Sequence, residues 1–433
     1  MSGPHGAHGK SRAVPDTIIE RILARAAGLA DVQPGQIVTC DVDMTVVIDV
    51  QFAHDRLADV RAVHDPDKVA VVLDHAVPAP TPRDAGHGAK ARTFVAKHGI
   101  DRFYDVGRHG IVHQVIAEQG LVLPGTVVCC TDSHTCAGGA LNSAARGLGP
   151  LEILQMLCTG QTWYRVPPTI RYELTGTKPA HVNGKDIFLT ISGRYGDATD
   201  HALEFGGPGL ASVPMPDRRT IATQGAEIGA DFTLFPCDAV TEEFLAGVAQ
   251  GSSYVPSDPD SDAVYAEVRT IDLGAVEPMV ALPGTVINNA VPLSGLERTR
   301  IDQAFIGSCA NGQLADLETA ARIVEGRKVA PGVRLIVTPA SQQVYLEAVR
   351  RGYVATLVEA GAVVTNSTCG ACFGYHMGVL APGEVCVTSS TRNFRGRMGS
   401  TEAKVYMASP ATVAASALTG YIAGPDQLME VAA

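Results

Sequence analysis

The stretch Gln303-Ala304-Phe305-Ile306-Gly307-Ser308-Cys309-Ala310-Asn311-Gly312 reads as a short apolar strand that stops at a glycine and presents a cysteine. A helix is expected to follow from Leu314. The same punctuation recurs along the chain. Val69–Leu73 leads into Asp74-His75, and Thr126–Cys130 into Asp132-Ser133-His134-Thr135. Ala362–Thr365 leads into Cys369-Gly370-Ala371-Cys372, and Val385–Thr388 into Arg392-Asn393-Phe394-Arg395-Gly396-Arg397. Strands that alternate with helices indicate an α/β fold with largely parallel sheets. Ligands of such sheets bind beyond the carboxyl ends of the strands. Asp74/His75, Asp132/His134, Cys309, Cys369/Cys372 and Arg392/Arg397 should therefore face one active-site cleft.

Breaks in composition divide the chain into three expected α/β domains: 1–165 with the Asp-His motifs, 166–285 with Glu204, and 286–433 with the cysteines and the arginine loop. The first boundary falls at Val166-Pro167-Pro168, and the Pro/Gly-spaced stretch Pro278–Leu296 reads as a linker. With 433 residues and 46% hydrophobic content, the chain can bury two or three cores. The formal charge of −11, without a Lys/Arg-dense run, argues against nucleic-acid binding. Aromatic content of 5% weakens any base-stacking role. Ten unevenly spaced cysteines do not suggest a disulfide framework, so a reducing, cytoplasmic compartment is expected. The polar stretch Met1–Ala13 has no apolar core of a secretory signal and reads as a frayed tail. No apolar run is long enough to predict a membrane span.

Cys369 and Cys372 bring two thiolates to one metal centre, and Cys309 adds a third. Three protein ligands leave a coordination position open, as catalytic centres require. Thiolates suit zinc or an iron–sulfur cluster, and the cysteines alone leave both open. Asp74 beside His75 and Asp132 beside His134 each pair a carboxylate with an imidazole, which orients the ring and makes it a proton donor near neutrality. By itself His113, in an apolar helical stretch, fits a core histidine equally well. Glu204, before the glycines of Gly206-Gly207-Pro208-Gly209, is similarly ambiguous. Arg392 and Arg397 in an acidic protein suggest a substrate that carries carboxylates.

Together the motifs Ile306-Gly307-Ser308-Cys309-Ala310-Asn311, Cys369-Gly370-Ala371-Cys372, Asp132-Ser133-His134-Thr135 and Arg392-Asn393-Phe394-x-Gly396-Arg397 resemble the aconitase superfamily. Within it they are similar to the separate large subunits of the isopropylmalate dehydratase and homoaconitase-like branch, over roughly Val38 to Gly424. The resemblance implies a [4Fe-4S] cluster on Cys309, Cys369 and Cys372 with one open iron. It implies that His75, paired with Asp74, protonates a departing hydroxyl, and that Asp132, His134, His113 and Glu204 hold water and substrate. Ser133, Arg392 and Arg397 would bind substrate. The implied activity is a hydro-lyase acting on a small hydroxy-dicarboxylate such as 3-isopropylmalate. The resemblance also implies that the swivelling domain is absent from this chain and is supplied by a separate small subunit.

The chain departs from the family pattern at Ile48-Asp49, at Thr391 and at Gly312-Gln313. These departures leave room for a smaller substrate: methylmalate, dimethylmalate or maleate. A zinc-dependent hydrolase that uses the same cysteines is the alternative within enzymes, and an RNA-binding iron sensor the alternative outside them.

Overall fold

β-Branched runs such as Val69–Val72 and Val127–Cys130 have no polar alternation, so they can be strands only where both faces are covered. The computed structural model, which describes residues 16–53, 57, 59–249 and 251–428, buries every residue of both strands. The stretch Met1–Ala13 lies outside the described residues.

Three sheets carry the site. The first is all parallel, in the order Arg102–Tyr104, Val69–Val72, Met44–Ile48, Val127–Cys130, Ala144–Gly147. The second is also parallel and runs Phe232–Leu234, Ala202–Gly206, Thr169–Thr175, Glu267–Asp272. The third has seven strands, with Gln303–Ile306 between Val385–Thr388 and Arg334–Val337. Lys404–Ala408 and Val363–Val364 extend its parallel part. A two-stranded antiparallel ribbon pairs Ile37–Asp41 with Gln161–Arg165.

The stretch expected as a linker, Pro278–Leu296, is instead part of the third sheet. Met279–Ala281 pairs antiparallel with Lys404–Ala408 and with Ala290–Pro292. Strands of three residues separated by Pro and Gly leave too little pattern to read, and pairing with a neighbour supplies their order.

Helix ends are capped by the residues before them. Leu314–Val324 starts after Gln313, whose backbone N–H donates at 2.9 Å to the Asp316 side chain reaching back from the first turn. Ser341 and Ser409 cap Gln342–Arg350 and Pro410–Thr419. Among the described residues, no helix is long and apolar enough to cross a membrane.

Candidate active site

Asp49 and His75 meet because their strands are neighbours in register, Ile48 opposite Val72. Beyond these strand ends the Asp49 carboxylate accepts three backbone N–H bonds, from Asp74 (3.4 Å), His75 (3.0 Å) and Ala76 (2.8 Å). The turn that carries His75 is thus built on a side chain of the adjacent strand. From the third sheet, the Thr368 hydroxyl donates toward the Asp74 and His75 carbonyls, and Cys369 N–H donates to the Asp74 carbonyl at 3.2 Å. The histidine turn and the cysteine loop are therefore one hydrogen-bonded unit.

The His75 ring stands among carboxylates without a direct hydrogen bond to any of them. Nδ1 is 3.7 Å from Asp74 Oδ1 and 3.9 Å from Asp49 Oδ1, and Nε2 is 3.9 Å from Asp132 Oδ2. Burial disfavours the imidazolium, but Asp74, Asp49 and Asp132 outweigh it, so the His75 pKa is raised. Asp74 is pushed up to about 7 by burial, against the counter-charge of His75. The pair is built to hold a proton.

On the next strand end, Asp132 accepts at one oxygen from His113 Nε2 and from the His134 backbone N–H, both at 2.8 Å. Burial would raise its pKa, yet hydrogen bonds from His113 and His134 hold it well below the usual carboxylate range. His113 is pushed down by burial despite Asp132 and stays neutral. His134 is raised, because its bonds to Asp132 and Glu227 outweigh burial. His134 Nε2 donates to Glu227 Oε1 at 2.8 Å, and Arg392 Nε donates to the same oxygen at 2.8 Å. Arg392 Nη2 then reaches the Ser133 hydroxyl at 2.8 Å. Ser133 is exposed and Arg392 half-buried, so the end of this chain of bonds is open to a ligand.

The cysteines converge in an apolar nest with Phe305, Ile336, Ala371 and Met398. Cys369 and Cys372 are buried and Cys309 is half-buried. A hydrogen bond from Cys369 and the positive charge of Arg397, whose Nη2 lies 3.8 Å from Cys372 Sγ, hold the Cys372 thiol well below its usual range. Cys369 is correspondingly raised by that bond and by burial. Burial, then the nearby Asp132 and Asp74 carboxylates, push Cys309 up. The Ser308 hydroxyl also faces Cys372, on a residue with φ of +93°, a conformation that costs a non-glycine residue about 1–3 kcal/mol.

Buried polar atoms around this nest have no hydrogen-bond partner among the described residues: Asp74 Oδ1, His75 Nδ1, His113 Nδ1, Ser308 Oγ, Thr391 Oγ1 and Arg397 Nε. Buried unpaired atoms are costly, and so many in one place fit a site that binds a polar or charged group. A soft trio of thiols with unpaired donors and acceptors around it fits an iron–sulfur cluster. A single zinc ion fits less well, since ligand sulfurs at about 2.3 Å from the metal lie within about 4.6 Å of one another. Among the described residues, the trio of ligand atoms mutually within 4.8 Å is His113, Asp132 and Cys309, not the three cysteines.

Glu204 is a correction. The structure does not bring it to this cluster. It lies inside the strand Ala202–Gly206, not beyond the strand's end, and is fully buried. Its carboxylate accepts from Ile18 N–H (2.8 Å), Arg171 Nη1 (2.7 Å) and Tyr265 Oη (2.5 Å), which anchors the first helix to the second sheet. The acid that joins the site is Glu227, in the turn Gly225–Ile228. Its signal was present: Gly225-Ala226-Glu227-Ile228-Gly229 is flanked by glycines as Glu204 is followed by them, and a Cβ at Gly225 would collide with Thr233. The departures at Ile48 and Gln313 are also structural. Ile48 packs in the core, and Gln313 pairs with Arg219 (3.1 Å) and the Pro216 carbonyl (3.1 Å). Arg395 is exposed, as a solubilising arginine would be.

The strand ends thus gather His75 among carboxylates, Arg392, Arg397 and three cysteines, and by its family and relatives the chain is an enzyme of the hydro-lyase class. The chain belongs to the aconitase family: the family profile, described as the aconitase family (aconitate hydratase), matches residues 30–420. Proteins of this family carry an iron–sulfur cluster. The chain is 65% identical to the 3-isopropylmalate dehydratase large subunit of Mycolicibacterium smegmatis, over 94% of this chain and 96% of that protein. It is 43% identical to 3-isopropylmalate dehydratase large subunit 1 of Methanopyrus kandleri, over 94% of this chain and 98% of that one. It is 42% identical to the 3-isopropylmalate dehydratase large subunit of Caldanaerobacter subterraneus, over 95% and 99%.

Proposed function

We propose that the chain is the cluster-bearing large subunit of a hydro-lyase that dehydrates and rehydrates a hydroxy-dicarboxylate, with 3-isopropylmalate the leading substrate. A [4Fe-4S] cluster on Cys309, Cys369 and Cys372, with one iron open, would supply a Lewis acid for the substrate's hydroxyl and adjacent carboxylate. The observation that carries the reading is the position of His75, whose turn is hydrogen-bonded to the Cys369 loop and whose ring is surrounded by three carboxylates.

Dehydration needs a proton delivered to a departing hydroxyl. His75, held protonated by Asp74, Asp49 and Asp132, supplies it. Asp132, which accepts from His113 Nε2, and the free Nδ1 lone pair of neutral His113 form a fixed pair of acceptors for water or the hydroxyl beside Cys309. Arg392, aimed by Glu227, and Ser133 receive a substrate carboxylate at the open end, and Arg397 supplies charge beside the thiols. The base that takes the carbon-bound proton belongs in this reading to a separate small subunit, the partner implied by relatives named large subunits. Ile48 in the core and Gln313 in a helix cap weaken the case for methylmalate, dimethylmalate or maleate, since Thr391 is the one departure left with an unpaired group.

Iron and acid-labile sulfide are measured on anaerobically reconstituted wild type and Cys369→Ser, followed by dehydration of 3-isopropylmalate with the small subunit added. About four of each per chain, lost in the variant, together with activity that needs both subunits, is the expected result. Wild type without sulfide, or with iron indifferent to the substitution, would refute it.

A further inference from the structure

Five non-glycine residues have positive φ among the described residues: Asn142, Asp200, Asn288, Ser308 and Met377. Of these, Ser308 alone also buries a side-chain polar atom that has no hydrogen-bond partner. It is 1% exposed, with φ of +93°. Glycine would satisfy the backbone and leave no orphaned hydroxyl, so two physical preferences run against serine here. Thr391, whose hydroxyl is also buried and unpartnered, runs against only one of them. The backbone just before it is pinned. Gly307 N–H donates to Ser389 Oγ at 3.2 Å, and a Cβ at Gly307 would press on Phe305 and Thr338. The Ser308 side chain is enclosed, so turning out to solvent does not satisfy its hydroxyl. Its hydroxyl lies near enough to the Cys372 sulfur to favour the thiolate there, and it sits one residue from Cys309.

We propose that Ser308 is a positioning residue for the bound iron–sulfur cluster: its O–H donates to sulfur at the Cys372 side and thereby sets the cluster's reduction potential. The proposal rests on the reading that Cys309, Cys369 and Cys372 hold the cluster. Hydrogen bonds to cluster and ligand sulfurs draw charge from the iron and raise the potential. Loss of the hydroxyl should therefore lower it, whatever happens to the backbone.

The full-length chain is reconstituted anaerobically as wild type, Ser308→Ala and Ser308→Gly. Iron and sulfide content, the midpoint potential from an EPR-monitored redox titration, and the melting temperature of the cluster-free chain are compared. Both variants are expected to load iron and sulfide and to shift to lower potential together. Cluster-free Ser308→Gly should melt above Ser308→Ala, since only glycine releases the strained φ. Should the alanine variant not fold, the glycine variant makes the same test of the hydroxyl on a relaxed backbone. Loaded variants at the wild-type potential overturn the proposal, as does a shift seen in folded Ser308→Gly but not in folded Ser308→Ala. Wild type without iron and sulfide instead defeats the cluster reading, before any potential is measured, and the proposal falls with it.

Discussion

Replacing Glu227 and Glu204 in turn by glutamine separates the acid that orders the site from the acid that orders the fold. Glu227 Oε1 accepts two charge-assisted bonds, from His134 Nε2 and Arg392 Nε, each at 2.8 Å. Such bonds contribute about 1.5–3 kcal/mol apiece. Glutamine keeps one oxygen but loses the charge, so roughly 2 kcal/mol of Arg392 and His134 positioning is at stake, about thirty-fold in kcat/KM. The same substitution should lower the His134 pKa, because Glu227 is one of the two groups that hold it up. Glu204 makes three bonds in a fully buried setting, and its amide would set an N–H against the Ile18 N–H. That should cost about 2–4 kcal/mol of stability, with kcat/KM unchanged in the folded fraction. Steady-state kinetics with the small subunit, NMR titration of His134 and urea unfolding read the three quantities. Activity lost in Glu204→Gln at unchanged stability, with Glu227→Gln near wild type, would refute the assignment of roles.

The remaining expectations concern the same elements. Because the His75 pKa is raised, stability from its carboxylate partners is fully present below the histidine's unfolded pKa and is lost as pH rises through the folded one. Activity should therefore persist above the ordinary histidine range, and Asp74→Asn should move the alkaline limb of the kcat profile to lower pH. Asp132 and Glu227 are depressed, so their stabilisation holds above the usual carboxylate range and is lost only as pH falls through their folded values. Acid unfolding of Asp132→Asn should show a weaker dependence in that window. Asp49→Asn leaves at least one of three backbone N–H groups without its acceptor. It should lower kcat about ten-fold or more with KM little changed, by loosening the His75 turn. Arg392→Lys cannot span Glu227 and Ser133 as a planar fork does, and should raise KM more than it lowers kcat.

Much of the candidate site was legible in consecutive residues. Asp74/His75, Asp132/His134, the cysteines and the arginine loop follow apolar β-branched runs, and the carboxyl ends of parallel strands open onto one side of a sheet. His113 could not be placed that way. It lies in the buried face of the helix Val112–Glu118, where a histidine that serves a site and one that fills a core look alike in sequence. Its 2.8 Å bond to Asp132 supports the first reading.

Local chain chemistry, meaning strand runs, glycine stops, capping residues and ligand-type side chains, is written in consecutive residues, and it determined the α/β class and the cysteine, histidine and arginine motifs. Which acid serves the site was decided elsewhere. Glu204 and Glu227 are both acids near glycines, but a side chain inside a strand points where the sheet's pleat directs it, and the acid in a turn points where packing of the turn allows. Glu204 meets Ile18, Arg171 and Tyr265, residues 186, 33 and 61 positions away, and Glu227 meets His134 and Arg392, 93 and 165 away. Partnerships over such separations exist only once the sheets have packed, because no nearby residue carries the information that distinguishes them.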